Sequence, residues 1–138
     1  MQKQDFEKMK QTINAREGFT RHNGIEVLSI EEGLCKCQVA VTAEERNPHD
    51  TAHGGLLFGL CDTAAGIAAT TQGRSVVSRA ADFHFLHPAT GTVTAVGRVV
   101  SSGYTMAYCT AEVYDQAGRI LAAGSFEMYY LKEPLKLD

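Results

Sequence analysis

One long apolar helix, followed by an almost unbroken series of strands, limits this 138-residue chain to few architectures. Over 53–72, Leu56, Leu57, Leu60, Ala64, Ile67 and Ala68 recur at spacings of three and four, the period of one helix face. Much of the remainder is small (Ala65, Gly66, Ala69), and Gly73 ends the segment. Such a helix can lie close against a sheet. The strands that follow it are "SVVSRAADFHFLHPA", ending at Pro88, then "GTVTAVGRVVSSG", "YTMAYCTAEVYDQAG" and "RILAAGSFEMYYLKEP". Asp115 to Gly118 forms a hairpin-like turn between the last two. Before the helix, "IEVLSIEEG" and "LCKCQVAVT" read as two short strands joined by a turn at Gly33. "AEERNPHDTA" reads as a loop, with Glu44, Glu45 and Arg46 solvated. At the N-terminus a helix is predicted within 1–18, with Phe6, Met9 and Ile13 on one face and Gly18 as its stop. It would cover a sheet edge or lid a site. A single antiparallel sheet of this size has one face to cover, and the small-residue helix covers it. The expectation is one α+β domain spanning 1–138.

The central helix carries two features that cost it stability. Gly54 and Gly55 stand at its start, each about 1 kcal/mol worse than alanine inside a helix. Asp62 falls within the apolar run, where an unpaired carboxylate is expensive. A helix N-terminus presents unsatisfied N–H groups and the positive end of the macrodipole. Glycine there lets a ligand oxygen approach without meeting a Cβ. Gly54 and Gly55 therefore suit a polarised carbonyl or a developing oxyanion, with His53 orienting the turn; they also suit simple packing under a crossing strand. Asp62 lies seven residues past Gly55 on nearly the same face, roughly 10.5 Å along the axis. That separation is too long for one reacting carbonyl. A second, antiparallel copy of the helix would bring its Asp62 to these glycines, which predicts an interfacial site in a two-fold dimer. The plainer alternative is an aspartate bonded to nearby backbone or an arginine.

Asn47, His53-Gly54-Gly55, Phe58, Asp62 and Ala64 with Gly66 together resemble the signature of the PaaI-like thioesterases of the hotdog fold. The resemblance covers about residues 20 to 131, including "FHFLHPA" at a strand end. It implies a long helix wrapped by an antiparallel sheet, and hydrolysis of acyl-CoA thioesters by a homodimer, often paired into a homotetramer. By that resemblance Asp62 would be general base or nucleophile. The Gly54 and Gly55 N–H groups would hold the carbonyl oxygen, with His53 supporting them. Asn47 would position the water or the thioester, and Ser78 would help place the water. Phe58 and Phe83 would contact substrate, and Phe83 and Phe85 would be core or acyl-pocket walls. The sequence departs from the family at Tyr104, where a basic residue often follows Gly103, and at His87, which replaces a common Arg. Arg74, Arg79 and Arg98 are the cations that could compensate.

Composition excludes several other classes. Charged residues make up 21% and hydrophobic residues 44%, ordinary for a globular protein. The 13 basic residues are scattered, and the net charge of −3 gives no reason to expect a nucleic-acid partner. "MQKQDFEKMK" lacks the apolar core of a secretory signal, and no window approaches a membrane span. A soluble cytoplasmic protein without cofactor is expected. Cys35, Cys37, Cys61 and Cys109 read as buried reduced thiols. Two rivals to acyl-CoA hydrolysis remain. His49 and His53, with Asp62, His84 or His87, could bind a hydrolytic metal, although the glutamate of a metalloprotease motif is missing. A non-catalytic acyl-CoA or acyl-carrier binding protein is the other, since fold does not fix function. The alternation of Tyr104, Met106 and Tyr108 reads as strand core or an interface.

Overall fold

The structure is a computed structural model that describes residues 1–136. Helix α1 (Lys3–Ala15) and a single turn, α2 (Phe19–His22), precede strands β1 (Glu26–Glu31) and β2 (Leu34–Ala40). A 3₁₀ turn (Ala43–Glu45) leads into the central helix α3 (Gly54–Thr70). Strands β3 (Arg74–Phe85), β4 (Thr92–Ser102), β5 (Met106–Tyr114) and β6 (Ile120–Pro134) complete the chain. The element order matches the sequence reading. The N-terminal segment differs in detail, because the helix stops at Ala15 and Gly18, at φ 150°, caps the short α2. No helix among the described residues is long and apolar enough to cross a membrane.

All six strands join one antiparallel sheet in the order β1-β2-β4-β5-β6-β3. Its concave side wraps α3, and Leu60, Cys61, Ala64, Ala65, Ala68 and Ala69 are all fully buried there. The approach is closest at Gly97 of β4. A Cβ at that position would lie 2.5 Å from the backbone carbon of Ala64. Helix and sheet thus meet backbone to backbone, which the small residues of the central helix make possible. The far end of α3 is tied down by polar bonds. Thr71 Oγ1 donates to the Ala68 carbonyl (2.7 Å) and accepts from the Gly33 N–H (2.8 Å), fixing the helix end to the β1–β2 turn. Tyr130 Oη donates to the Ala69 carbonyl at 3.2 Å.

Alternation places Ala107, Cys109 and Ala111 of β5 in the core. The opposite set does not form core, which corrects half of the expectation for Tyr104, Met106 and Tyr108: Tyr104 is 84% exposed and Tyr108 46%. Both sheet edges are distinctive. Strand β1 is covered by α1, whose Asn14 behaves like a neighbouring strand. Its Nδ2 donates to the Val27 carbonyl (3.0 Å), and its Oδ1 accepts from the Val27 N–H (2.8 Å). Among the described residues strand β3, twelve residues long, pairs only with β6 and has no partner strand on its other edge.

A β-bulge at Arg79 interrupts the pairing of β3 with β6. Ser78 is opposite Met128, and after the bulge Phe83 and Phe85 are opposite Gly124 and Ala122. The extra residue shifts the alternation by one. Ser78, Phe83 and Phe85 therefore all face α3, although strict alternation would put Ser78 on the other side.

Because the atoms facing Gly97 are backbone, they cannot yield as a side chain can. Gly97→Ala should lower stability by at least about 2 kcal/mol through overpacking, read from the midpoint of urea unfolding. A midpoint equal to wild type would show that helix and sheet have slack at this crossing.

Candidate active site

The start of α3 is built by the loop before it. Asn47 holds that loop through its own side chain: Oδ1 accepts from the His49 N–H (2.9 Å) and the Thr51 N–H (3.2 Å), and Nδ2 donates to Thr51 Oγ1 (2.9 Å). The loop is tied to its surroundings by two backbone bonds, from Ala52 N–H to the Ala89 carbonyl (2.8 Å) and from His53 N–H to the Glu45 carbonyl (2.9 Å). His53 is the N-cap, and its Nδ1 accepts from the Gly55 N–H at 2.8 Å. An accepting Nδ1 carries no proton, so the neutral ring keeps its hydrogen on Nε2. The Gly55 N–H is thus engaged by the cap. Gly54, the first residue of the helix, has an N–H with no acceptor inside the helix. The ring of Phe85 lies over Gly54, 3.1 Å from where a Cβ would stand. Asn47, Thr51, Gly54, Phe85 and His87 share one cavity of about 290 Å³.

Asp62 belongs to a different place. Its Oδ1 accepts a short hydrogen bond from Ser78 Oγ, and both residues border a second cavity of about 340 Å³. Ser78 reaches Asp62 because the bulge turns it toward the helix. Within one chain the glycine N-terminus and the carboxylate are separated by eight residues, about 12 Å of helix, and open into separate cavities. Phe58 and Phe83 are not isolated contacts; they form an edge-to-face pair with centroids 5.4 Å apart. Phe85 and Phe126 extend that aromatic cluster.

The thiols offer no nucleophile. A hydrogen bond shared with Cys37, and then burial, hold the Cys35 thiol far above the ordinary range. Burial does the same for Cys61, reinforced by Glu112, and pushes Cys109 up to about 11. No three His, Cys, Asp or Glu side chains come together in a metal-binding group among the described residues. Of the three arginines, Arg74 reaches the turn at Tyr104. Its guanidinium lies over the rings of Tyr104 (4.8 Å) and Tyr130 (4.6 Å) and donates to the Tyr104 carbonyl. Arg79 instead points its guanidinium at Met106 Sδ, 3.1 Å away.

Two contributions escaped the sequence reading. Phe85 as the cover of Gly54 had only its position in "FHFLHPA" as a signal. Met9 and Ile13 border the Asp62 cavity from α1; their helical spacing marked a buried face but not what that face meets.

Comparison with known proteins gives the family. The Thioesterase superfamily matches residues 49–122. The acyl-coenzyme A thioesterase PaaI of Escherichia coli K12 is 36% identical over 101 residues, 72% of each chain. The solved structure of E. coli PaaI, from the phenylacetic acid degradation operon, superposes with a TM-score of 0.86 at 28% identity, covering 94% of this chain and 98% of that one. A Streptococcus mutans UA159 protein solved bound to acetyl CoA gives 0.78 at 25% identity, covering 85% and 94%. The helix wrapped by an antiparallel sheet is the hotdog fold, and the chain belongs to the thioesterase superfamily as a PaaI-like thioester hydrolase.

Proposed function

We propose that the chain hydrolyses acyl-CoA thioesters at a site shared by two copies, with Asp62 of one copy acting on a carbonyl held at the Gly54 N-terminus of the other. The observation that carries this reading is the separation of the two groups, on one helix but in two cavities. The open edge of β3 supports it. A strand of twelve residues is a long edge for a protein to leave without a partner strand. Two-fold pairing of β3 with its copy, centred midway between Ser78 and Phe85, sets Ser78 of one chain opposite Phe85 of the other. Ser78 is bonded to Asp62 and Phe85 lies over Gly54, so the two half-sites would meet across the seam.

The chemistry follows from charge. Water attacks the thioester carbon, Asp62 accepts its proton, and the carbonyl oxygen gains negative charge as the tetrahedral intermediate forms. The Gly54 N–H and the helix dipole stabilise that oxygen. Collapse of the intermediate expels the CoA thiolate, which takes a proton, and releases the acid. Direct attack by the Asp62 carboxylate, through an anhydride that water then opens, uses the same groups. Ser78 fixes the rotamer of Asp62 by donating to Oδ1, leaving Oδ2 for the water. His53 and Asn47 act as positioning residues: one caps the helix through Gly55, the other holds the loop that shapes its entrance. Phe58 and Phe83 wall the site. The acetyl CoA bound to the Streptococcus mutans structure supports CoA as the thiol carrier here. We further place the protein in the cytoplasm, as a homodimer that pairs into a homotetramer, formed of one folded domain.

Asp62→Asn removes the base and keeps the shape. It should lower kcat by about 10²–10⁴-fold in a thiol-release assay while leaving the unfolding midpoint unchanged. Turnover near wild type in the folded variant would remove Asp62 from the chemistry.

A further inference from the structure

We propose that helix α1 forms the end wall of the acyl pocket and that Ile13 sets the length of the acyl group, a medium-length apolar chain. The proposal rests on the thioesterase reading above. Its basis is the cavity that holds Asp62 and Ser78, which is not closed by α3 and β3 alone. Ile67, Val76 and Met128 line its sides, and Met9 and Ile13 of α1 line the part contributed by the N-terminal segment. Along α3 the cavity extends from Asp62 past Gly66 to Thr70, two turns or about 12 Å of helix. Its volume of about 340 Å³ is at the small end of small-molecule sites. That suits an acyl group and excludes the CoA moiety, which must lie elsewhere. Among the described residues, the charged side chains on its border besides Asp62 are Arg16 and Lys136, and both are exposed. The buried part offers an acyl chain apolar walls and threonine hydroxyls, with no charge to pair with a polar terminus.

Helix α1 is held in place firmly enough to act as a wall. Asn14, the residue next to Ile13, grips the Val27 backbone with both a donor and an acceptor. Met9 is buried, with its Sδ 3.8 Å from Thr70 Oγ1 at the last turn of α3. Ile13 is half-buried and borders the cavity. One short helix thus both covers the β1 edge and borders the pocket.

The test is kcat/KM across straight-chain acyl-CoAs from acetyl to palmitoyl for wild type, Ile13→Ala and Ile13→Phe. Ile13→Phe should shift the optimum to shorter chains, with at least about a tenfold loss on the longest good wild-type substrate. Ile13→Ala should shift it to longer ones. Loss of folded protein scales every substrate by one factor, so opposite shifts in the two variants cannot come from misfolding. If wild type is active but neither variant changes the profile, or both change all chain lengths equally, α1 is not the acyl wall and the hydrolase reading stands. If wild type hydrolyses none of the panel, the acyl-CoA reading fails and this proposal with it.

Discussion

The backbone contact between Gly97 and Ala64 is the constraint on which the rest of the structure depends. With no side chain between them, α3 lies deep in the concave sheet, and around the crossing its buried residues are mostly small, Cys61, Ala64, Ala65, Ala68 and Ala69. Larger apolar residues lie mostly in the first two turns, at Leu56, Leu57 and Leu60, with Ile67 further along. A helix packed this closely has little freedom to rotate or slide, because interiors at crystal-like density transmit strain. Its N-terminus and Asp62 are accordingly fixed in direction. Rigidity of this kind is what a site needs to hold a donor and a base at set positions.

The same helix underlies the proposal of a site shared between two copies. Gly54 and Asp62 occupy one rigid rod, so no adjustment within the chain can bring them to a single carbonyl carbon. Strand β3 runs past both, touching Asp62 through Ser78 and Gly54 through Phe85, and its outer edge has no partner strand among the described residues. The bulge at Arg79 is essential to this, since it turns Ser78 to the helix side without moving Phe83 and Phe85 away.

Much of this could be read in the sequence because it rests on local signals. The apolar spacing from Leu56 to Ala68 marked α3, and Gly33, Gly73 and Asp115 to Gly118 marked turns that the structure contains. Gly54, Gly55 and Asp62 stood out because each costs a helix stability. What was not legible depends on register and on contacts distant in sequence. The bulge has no composition signal, so the orientation of Ser78 could not be derived from alternation. The capture of the Gly55 N–H by His53 needed the N-cap geometry, and it leaves Gly54 as the donor with no partner inside the helix. Met9 and Ile13 showed a buried face, but most of the cavity they meet is formed by residues far later in the chain, from Asp62 onward. Tyr104 and Tyr108 alternated as a core strand does, yet their face is the outer one.

Sharing of the site between copies is the central claim, and mixing two inactive variants tests it directly. Asp62→Asn and Gly54→Val chains would be unfolded together, refolded together and assayed by thiol release, beside each variant treated alone. If base and oxyanion donor come from different chains, a mixed dimer carries one intact site and one doubly damaged site. Random assortment should then restore roughly a quarter of wild-type activity. Activity no higher than that of the separate variants, with mixed dimers demonstrated by mass, would contradict a site shared across the seam.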